Sequence, residues 1–282
     1  MGLFNNYEKP GPGVRKDAPK QKAVPRFFSV FKRHFFDLCK VNLLFCIPVA
    51  IVTALVILLN RIYPYLAVDF IPIIFLFPFL AGLTFVTRNY AREEHTFILS
   101  DFKDAVKNNW SAFLLDGILC YVVTIMICIA VPFYWKSGGN NILSAVASGL
   151  CIAIGLFFIY SQYYVPVMIV TFNLKLSQIL RNSFIFAILG FGRNFLVTLL
   201  LAIVAFLCYL TFLTPSILTI IMPLFTIFLM FSYCSFLINF AAYPLVDKYM
   251  VQPYKAEQKK KNQLQEKEDG EDDDDIDFKD NL

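Results

Sequence analysis

Six stretches of the chain are each about twenty residues long, almost uncharged and strongly apolar, and no other feature constrains the fold as tightly. They run roughly Val41–Leu59, Val68–Val86, Ser111–Tyr134, Ile142–Val170, Phe195–Leu213 and Ile217–Phe240. About 20 apolar residues in helical conformation cross the hydrocarbon core of a bilayer. Inside lipid a segment must satisfy its own peptide groups, and a helix does so without a neighbour. The expected fold is therefore all-α: a polytopic membrane bundle of about six transmembrane helices. Composition agrees, with 58% hydrophobic residues against 16% charged ones. A soluble domain carries about 25% charged residues.

The polar segments divide the rest of the chain. Residues 1–25 are rich in Pro, Gly and Lys and read as a flexible arm. Residues 26–250 hold the six spans, and 251–282 form a charged tail, acidic over Glu268–Asp277, expected to be disordered. No cleavable leader is expected, because the first apolar block begins only near Val41 and lacks a small-residue cleavage site.

Three short amphipathic stretches, expected to be interfacial helices, precede pairs of spans. Arg26–Lys40 sets Phe27, Phe28, Phe31, Phe35 and Leu38 against Ser29, Lys32, Arg33 and Asp37, as a helix lying on an anionic membrane surface would. Ile98–Lys107 and Lys175–Ala187 repeat the pattern. Ser29, Ser100 and Ser177 head these units. Three homologous hairpins about a pseudo-threefold axis would give this spacing, and so would any six-span protein with interfacial helices.

Lysine and arginine are distributed unevenly. The segments before the first span, between the second and third, between the fourth and fifth, and after the sixth carry nearly all of them; the other connections hold Arg61 and Lys136. The positive-inside rule then places both termini and the two longer loops in the cytoplasm, with the protein in the cell membrane.

Catalytic chemistry finds little footing. His34 and His95 both fall in polar segments, no metal-ligand spacing or nucleophile motif is present, and the seven cysteines lie mostly in apolar blocks without a CxxC pair. The chain is not expected to be an enzyme, to hold a metal or cofactor, or to bind nucleic acid; its expected partner is the lipid bilayer. Polar residues within the spans are better leads, since each is costly in hydrocarbon unless paired. Asp116, Gln162, Asn239 and Asn42 all fall toward the cytoplasmic ends of their spans. They either line one polar cavity or make separate interhelical hydrogen bonds, and Arg193 is a candidate partner for Asp116. Ala145, Gly149 and Ala153 form a small-residue ladder suited to close helix packing. Tyr160, Tyr163 and Tyr164 form an aromatic cluster that fits core packing or dimerisation better than a sugar platform.

The opening MGLFNNYEKPGPGVRKD, Met1 to Asp17, resembles the start of the YesL-like bacterial membrane proteins. The likeness extends through Phe27–Phe45, Leu99–Trp110, Leu176–Ala187 and Tyr243–Tyr254, and the acidic tail departs from it. The resemblance implies a family of unknown function found in Gram-positive bacteria, often beside genes for carbohydrate uptake. On that footing the chain is expected to be a non-catalytic accessory factor linked to carbohydrate uptake, with transporter subunits as partners. A small-solute or ion transporter and a membrane structural or assembly protein are the alternatives.

Overall fold

The computed structural model describes residues 22–137, 142–213, 217–258 and 261–262. The predicted arm up to residue 21, the turns at 138–141 and 214–216, and the acidic tail lie outside the described residues. Within them the chain is helical: α1 Ala23–Arg33, α2 Phe35–Ile62, α3 Leu66–Asp69, α4 Ile71–Ala91, α5 Ile98–Ser137, α6 Ile142–Gln162, α7 Val165–Ile169, α8 Leu176–Leu189, α9 Phe191–Leu213, α10 Leu218–Phe225 and α11 Phe231–Val246. Among the described residues, six helical stretches are long and apolar enough to cross a membrane, and most of their surface faces outward. The fold is an all-α helical bundle, as expected for a polytopic membrane protein.

The interfacial segments differ from expectation in informative ways. Arg26–Lys40 is not one helix on lipid. His34 breaks it, and the residues after it already belong to α2. The apolar face of α1 packs on protein: the Phe27 ring lies 5.2 Å from both Phe236 and Phe240, and Phe31 lies 5.8 Å from Tyr233. The second amphipathic stretch is not a separate helix either. No glycine or proline interrupts Lys107–Ser111, so it runs on into the third span. The resulting 40-residue α5 extends about 60 Å, twice the hydrocarbon thickness. The third stretch is a discrete helix, α8, closed at Gly190. A Cβ at Gly190 would overlap the Tyr164 hydroxyl, so glycine lets the α8–α9 corner sit on that ring. The fifth span starts at Phe191 and not near Phe195. At the other end the helix continues through Gln258, beyond the predicted start of the tail.

Each second helix of a span pair is interrupted. Phe70 separates α3 from α4 just ahead of Pro72, Tyr163 and Tyr164 separate α6 from α7 ahead of Pro166, and a π-helical turn, Thr226–Met230, joins α10 to α11 after Pro223. Proline supplies no amide hydrogen and so sits readily at a helix start. The packing is cyclic: α4 lies on α5, α6 on α8 and α11 on α2, while α4, α7 and α11 touch one another at the centre. Two apolar cores result, one around Tyr160, Tyr164, Met168 and Phe113, the other around Leu38, Val41, Val86 and Phe236.

Candidate functional site

Where the three inner helices meet, they enclose a half-open cavity of ≈ 380 Å³, with Phe45 of α2 closing one side. Its wall is apolar over most of its area, formed by residues such as Ile73, Leu76, Leu80, Phe231 and Ile238. Each inner strut also supplies polar groups: Thr84 from α4, Gln162 and Tyr163 from the α6–α7 break, Ser235 and Asn239 from α11. No charged side chain lines it.

Behind this lining the polar groups fall into separate networks. Asn239 donates through Nδ2 to Thr87 Oγ1 at 3.0 Å and to the Ser235 carbonyl at 2.8 Å, and the Thr87 and Ser235 hydroxyls share a hydrogen bond of 2.7 Å. This ties α4 to α11. Gln162 donates to Asp116 Oδ1 at 3.4 Å, joining α6 to α5. Tyr163 shares a hydrogen bond with Thr198, and Tyr164 donates to Asn194 Oδ1, each at 2.8 Å, which fixes α9 against the α6–α7 break. Asn42 serves the π-helical turn: its Nδ2 donates to the Thr226 and Ile227 carbonyls at 3.0 and 2.7 Å, and its Oδ1 accepts from the Ser232 amide at 3.0 Å. A π turn breaks the regular ladder, and the Asn42 carboxamide satisfies groups at that irregularity.

Asp116, Gln162, Asn239 and Asn42 therefore do not face one polar cavity. Gln162 and Asn239 line the apolar cavity, Asp116 stands behind Gln162, and Asn42 belongs to a different contact. Arg193 does not partner Asp116; it donates to the Ala241 carbonyl at 2.9 Å. Ala145, Gly149 and Ala153 point outward, and a Cβ on Gly149 would meet nothing within 4 Å. Helix packing within the chain uses other positions. A Cβ on Gly155 would lie 2.9 Å from Ile127, one on Gly117 the same distance from Phe77, and one on Gly82 2.6 Å from the Phe102 ring. The tyrosine cluster is core: Tyr160, Tyr163 and Tyr164 are all buried.

Two polar residues escape a reading by span. Asn194, in the first turn of α9, is buried, accepting from the Tyr164 hydroxyl and donating to the Ala187 carbonyl at 3.1 Å. Arg88, counted as a loop charge, is buried at the end of α4, where Nη1 donates to the Val170 carbonyl at 2.7 Å and to Thr171 at 3.0 Å. Its Nη2 donates to Asn89 Oδ1 at 2.8 Å. The adjacent Asn89, a ready acceptor for a guanidinium, was the signal available in the sequence.

Arginines gather at one end of the bundle. Arg26 and Arg33 of α1 pair with the two carboxylate oxygens of Glu93 at 3.0 and 3.1 Å, and Arg193 lines the same cleft. Glu93 holds a left-handed backbone, φ 61°, uncommon for a residue with a side chain. Partial burial alone would raise the Glu93 carboxyl, but the hydrogen bonds and positive charges of Arg26 and Arg33 outweigh it and hold it below the usual glutamate range. Burial, reinforced by the Arg33 charge, lowers His34, whose ring stacks on Tyr90 at 4.4 Å. A second polar cleft, bordered by Arg92, Glu94 and Asp247, reaches Asn239 from this end.

Residues 56–131, from the last turns of α2 through most of α5, match a family described as "Protein of unknown function, DUF624". No curated protein and no solved structure matches the chain.

Proposed function

We propose that the chain is a non-catalytic accessory protein of the bacterial cytoplasmic membrane, linked to carbohydrate uptake, which acts by holding a partner at its cytoplasmic face. The carrying observation is the chemistry of the central cavity. Most of its wall is apolar and no charged side chain bounds it, whereas a path for ions would need charged groups along it. Charge is concentrated instead at the end where α1, the α4–α5 connection and the start of α9 converge. The excess of lysine and arginine in these segments supports placing that end in the cytoplasm. The match to a family of unknown function agrees with the membrane-protein reading, and the carbohydrate link rests on the YesL-like resemblance. The test is affinity purification in mild detergent with identification of bound proteins. Membrane subunits of a carbohydrate transporter should co-purify, and Lys32→Glu with Lys103→Glu on the exposed face of that end should release them. Purification of the chain alone under conditions that keep such transporters intact would reject the proposal.

One observation favours transport as a second reading. Asn239 lines both the central cavity and the polar cleft, so the two spaces share one residue. Uptake of a labelled solute into proteoliposomes, lost in Asn239→Leu and Asp116→Ala, would establish that reading in place of the first.

A further inference from the structure

Arg26, Arg33 and Arg193 line one cleft of ≈ 780 Å³ between α1, α9 and α11, and Glu93 is the one carboxylate among the described residues of its wall. Its volume lies within the roughly 300–1,000 Å³ of small-molecule sites. Each guanidinium is held by one part and open at another. Arg26 donates through Nε to Glu93 and through Nη2 to the Ala91 carbonyl, Arg33 through Nη1 to Glu93, and Arg193 through Nη1 to the Ala241 carbonyl. Among the described residues, Arg33 and Arg193 each keep Nε and Nη2 without an acceptor. Glu93 meets both α1 arginines from a left-handed backbone, a conformation kept only where the surroundings impose it. Exposed ion pairs add little stability, so what this strained residue achieves is the orientation of Arg26 and Arg33. Three fixed guanidiniums against one carboxylate leave an excess of positive charge and of paired N–H donors, the chemistry that takes a phosphate oxyanion.

The depth of the cleft selects the source of that phosphate. Arg33 stands two residues ahead of the span Phe35–Ile62, Arg193 lies in the first turn of the span Phe191–Thr211, and Arg26 is bonded to Ala91, the last residue of the span Leu66–Ala91. All three therefore sit where hydrocarbon gives way to headgroups. Leu196, one turn into the span from Arg193, is 60% exposed and offers an acyl chain a surface below the cleft. The apolar face of α1 is occupied by Phe236 and Phe240, so α1 meets the headgroup layer through its arginines.

We infer that this cleft is a binding site for the phosphate of an anionic phospholipid, whose oxygens accept from the open edges of Arg33 and Arg193. A lipid with a net negative charge suits it better than a zwitterionic one, because the excess positive charge that attracts the phosphate repels a headgroup ammonium. The assignment goes beyond the partner reading and does not rest on it: Lys32 and Lys103, which test that reading, do not line the cleft, and the purified chain suffices to test this one.

The test titrates the full-length protein in a non-ionic detergent with dioleoyl phosphatidylglycerol or with dioleoyl phosphatidylcholine, and counts bound lipid by native mass spectrometry. One phosphatidylglycerol should bind ahead of any others, and phosphatidylcholine should bind about fivefold or more less tightly. Arg193→Gln should weaken that first lipid about fivefold, the worth of one cationic side chain near a membrane surface. Lys32→Gln removes an equal charge beside Arg33 but outside the cleft, and should change the affinity by less than about twofold. Should Arg193→Gln fail to fold, Ser29→Trp fills the cleft from the exposed side of α1, leaves all three arginines in place, and should abolish the first binding event. Inorganic phosphate at the concentration of the lipid should leave the lipid bound. Equal binding of the two lipids, an equal loss in Lys32→Gln, tight binding retained in Ser29→Trp, or displacement by inorganic phosphate, which would mark a site for a soluble phosphate, would each overturn the inference.

Discussion

Gln162 donates through Nε2 to Asp116 Oδ1 at 3.4 Å, joining α6 to α5 across 46 positions of the chain. The remaining carboxylate oxygen, Asp116 Oδ2, and the amide oxygen, Gln162 Oε1, are buried without a partner. A carboxylate so placed is a weak source of stability. Asp116→Asn keeps the shape and removes the formal charge, so its thermal midpoint in detergent should equal or exceed that of the parent. Asp116→Ala strands the Gln162 amide and should cost about 1–3 kcal/mol. An Asn variant less stable than the Ala variant would show that the charge itself is needed.

The Asn42 carboxamide is oriented by what it serves, two carbonyls and one amide of the last span. Asn42→Asp places a second oxygen against the Thr226 and Ile227 carbonyls, and Asn42→Leu leaves all three groups bare. Both should destabilise, by roughly 2 kcal/mol or more, with the Asp variant the less stable despite its closer shape. Yield of monodisperse protein and the thermal midpoint measure this, and a tolerated Asn42→Asp would contradict the bonding pattern.

Two glycines should respond in opposite directions. Gly82→Ala drives a methyl to 2.6 Å from the Phe102 ring and 2.8 Å from its carbonyl oxygen, which should part α4 from α5 at a cost of about 1–3 kcal/mol. Gly149→Ala meets nothing within 4 Å and should stabilise α6 by about 0.5–1 kcal/mol through backbone entropy. Thermal unfolding of both variants tests the pair, and a Gly149→Ala loss would mean that this face packs on a second molecule.

Glu93 ties α1 to the α4–α5 connection through two exposed ion pairs, so its contribution should be small, 1 kcal/mol or less. Its carboxyl sits below the usual glutamate range. The stabilisation is therefore present at neutral pH and is lost as pH falls from the ordinary glutamate range through that lowered value. Amide exchange in α1 should be up to about fivefold faster in Glu93→Gln than in the parent at pH 7, and the difference should vanish once the pH is below that lowered value. His34 shifts the baseline of both proteins, because its lowered value makes acidification below about 6.5 destabilising. A Glu93→Gln difference that grew on acidification would refute this account.

The spans were legible because their signal is summed over about twenty residues. Asn42, Asp116, Gln162 and Asn239 could be picked as buried polar groups, yet not grouped, because a span boundary gives depth and not rotation about the helix axis. The ladder of Ala145, Gly149 and Ala153 had the right spacing on a face that no helix of this chain covers. Gly82 and Gly117, which do lie at the α4–α5 contact, carried no periodic mark. Asn194 was missed by a four-residue shift in the start of α9, since an amphipathic helix and a span joined at Gly190 read as one blurred apolar run.

From the sequence alone came the helical class, the approximate spans and the segregation of positive charge, since each follows from a cost of transfer into hydrocarbon that every residue bears independently. The tertiary structure decided that α1 caps α11, that Arg88 closes the end of α7, and that α4, α7 and α11 surround one cavity. Those outcomes depend on which faces of distant helices meet, and the helix-to-helix packing that selects them has no fixed period along the chain.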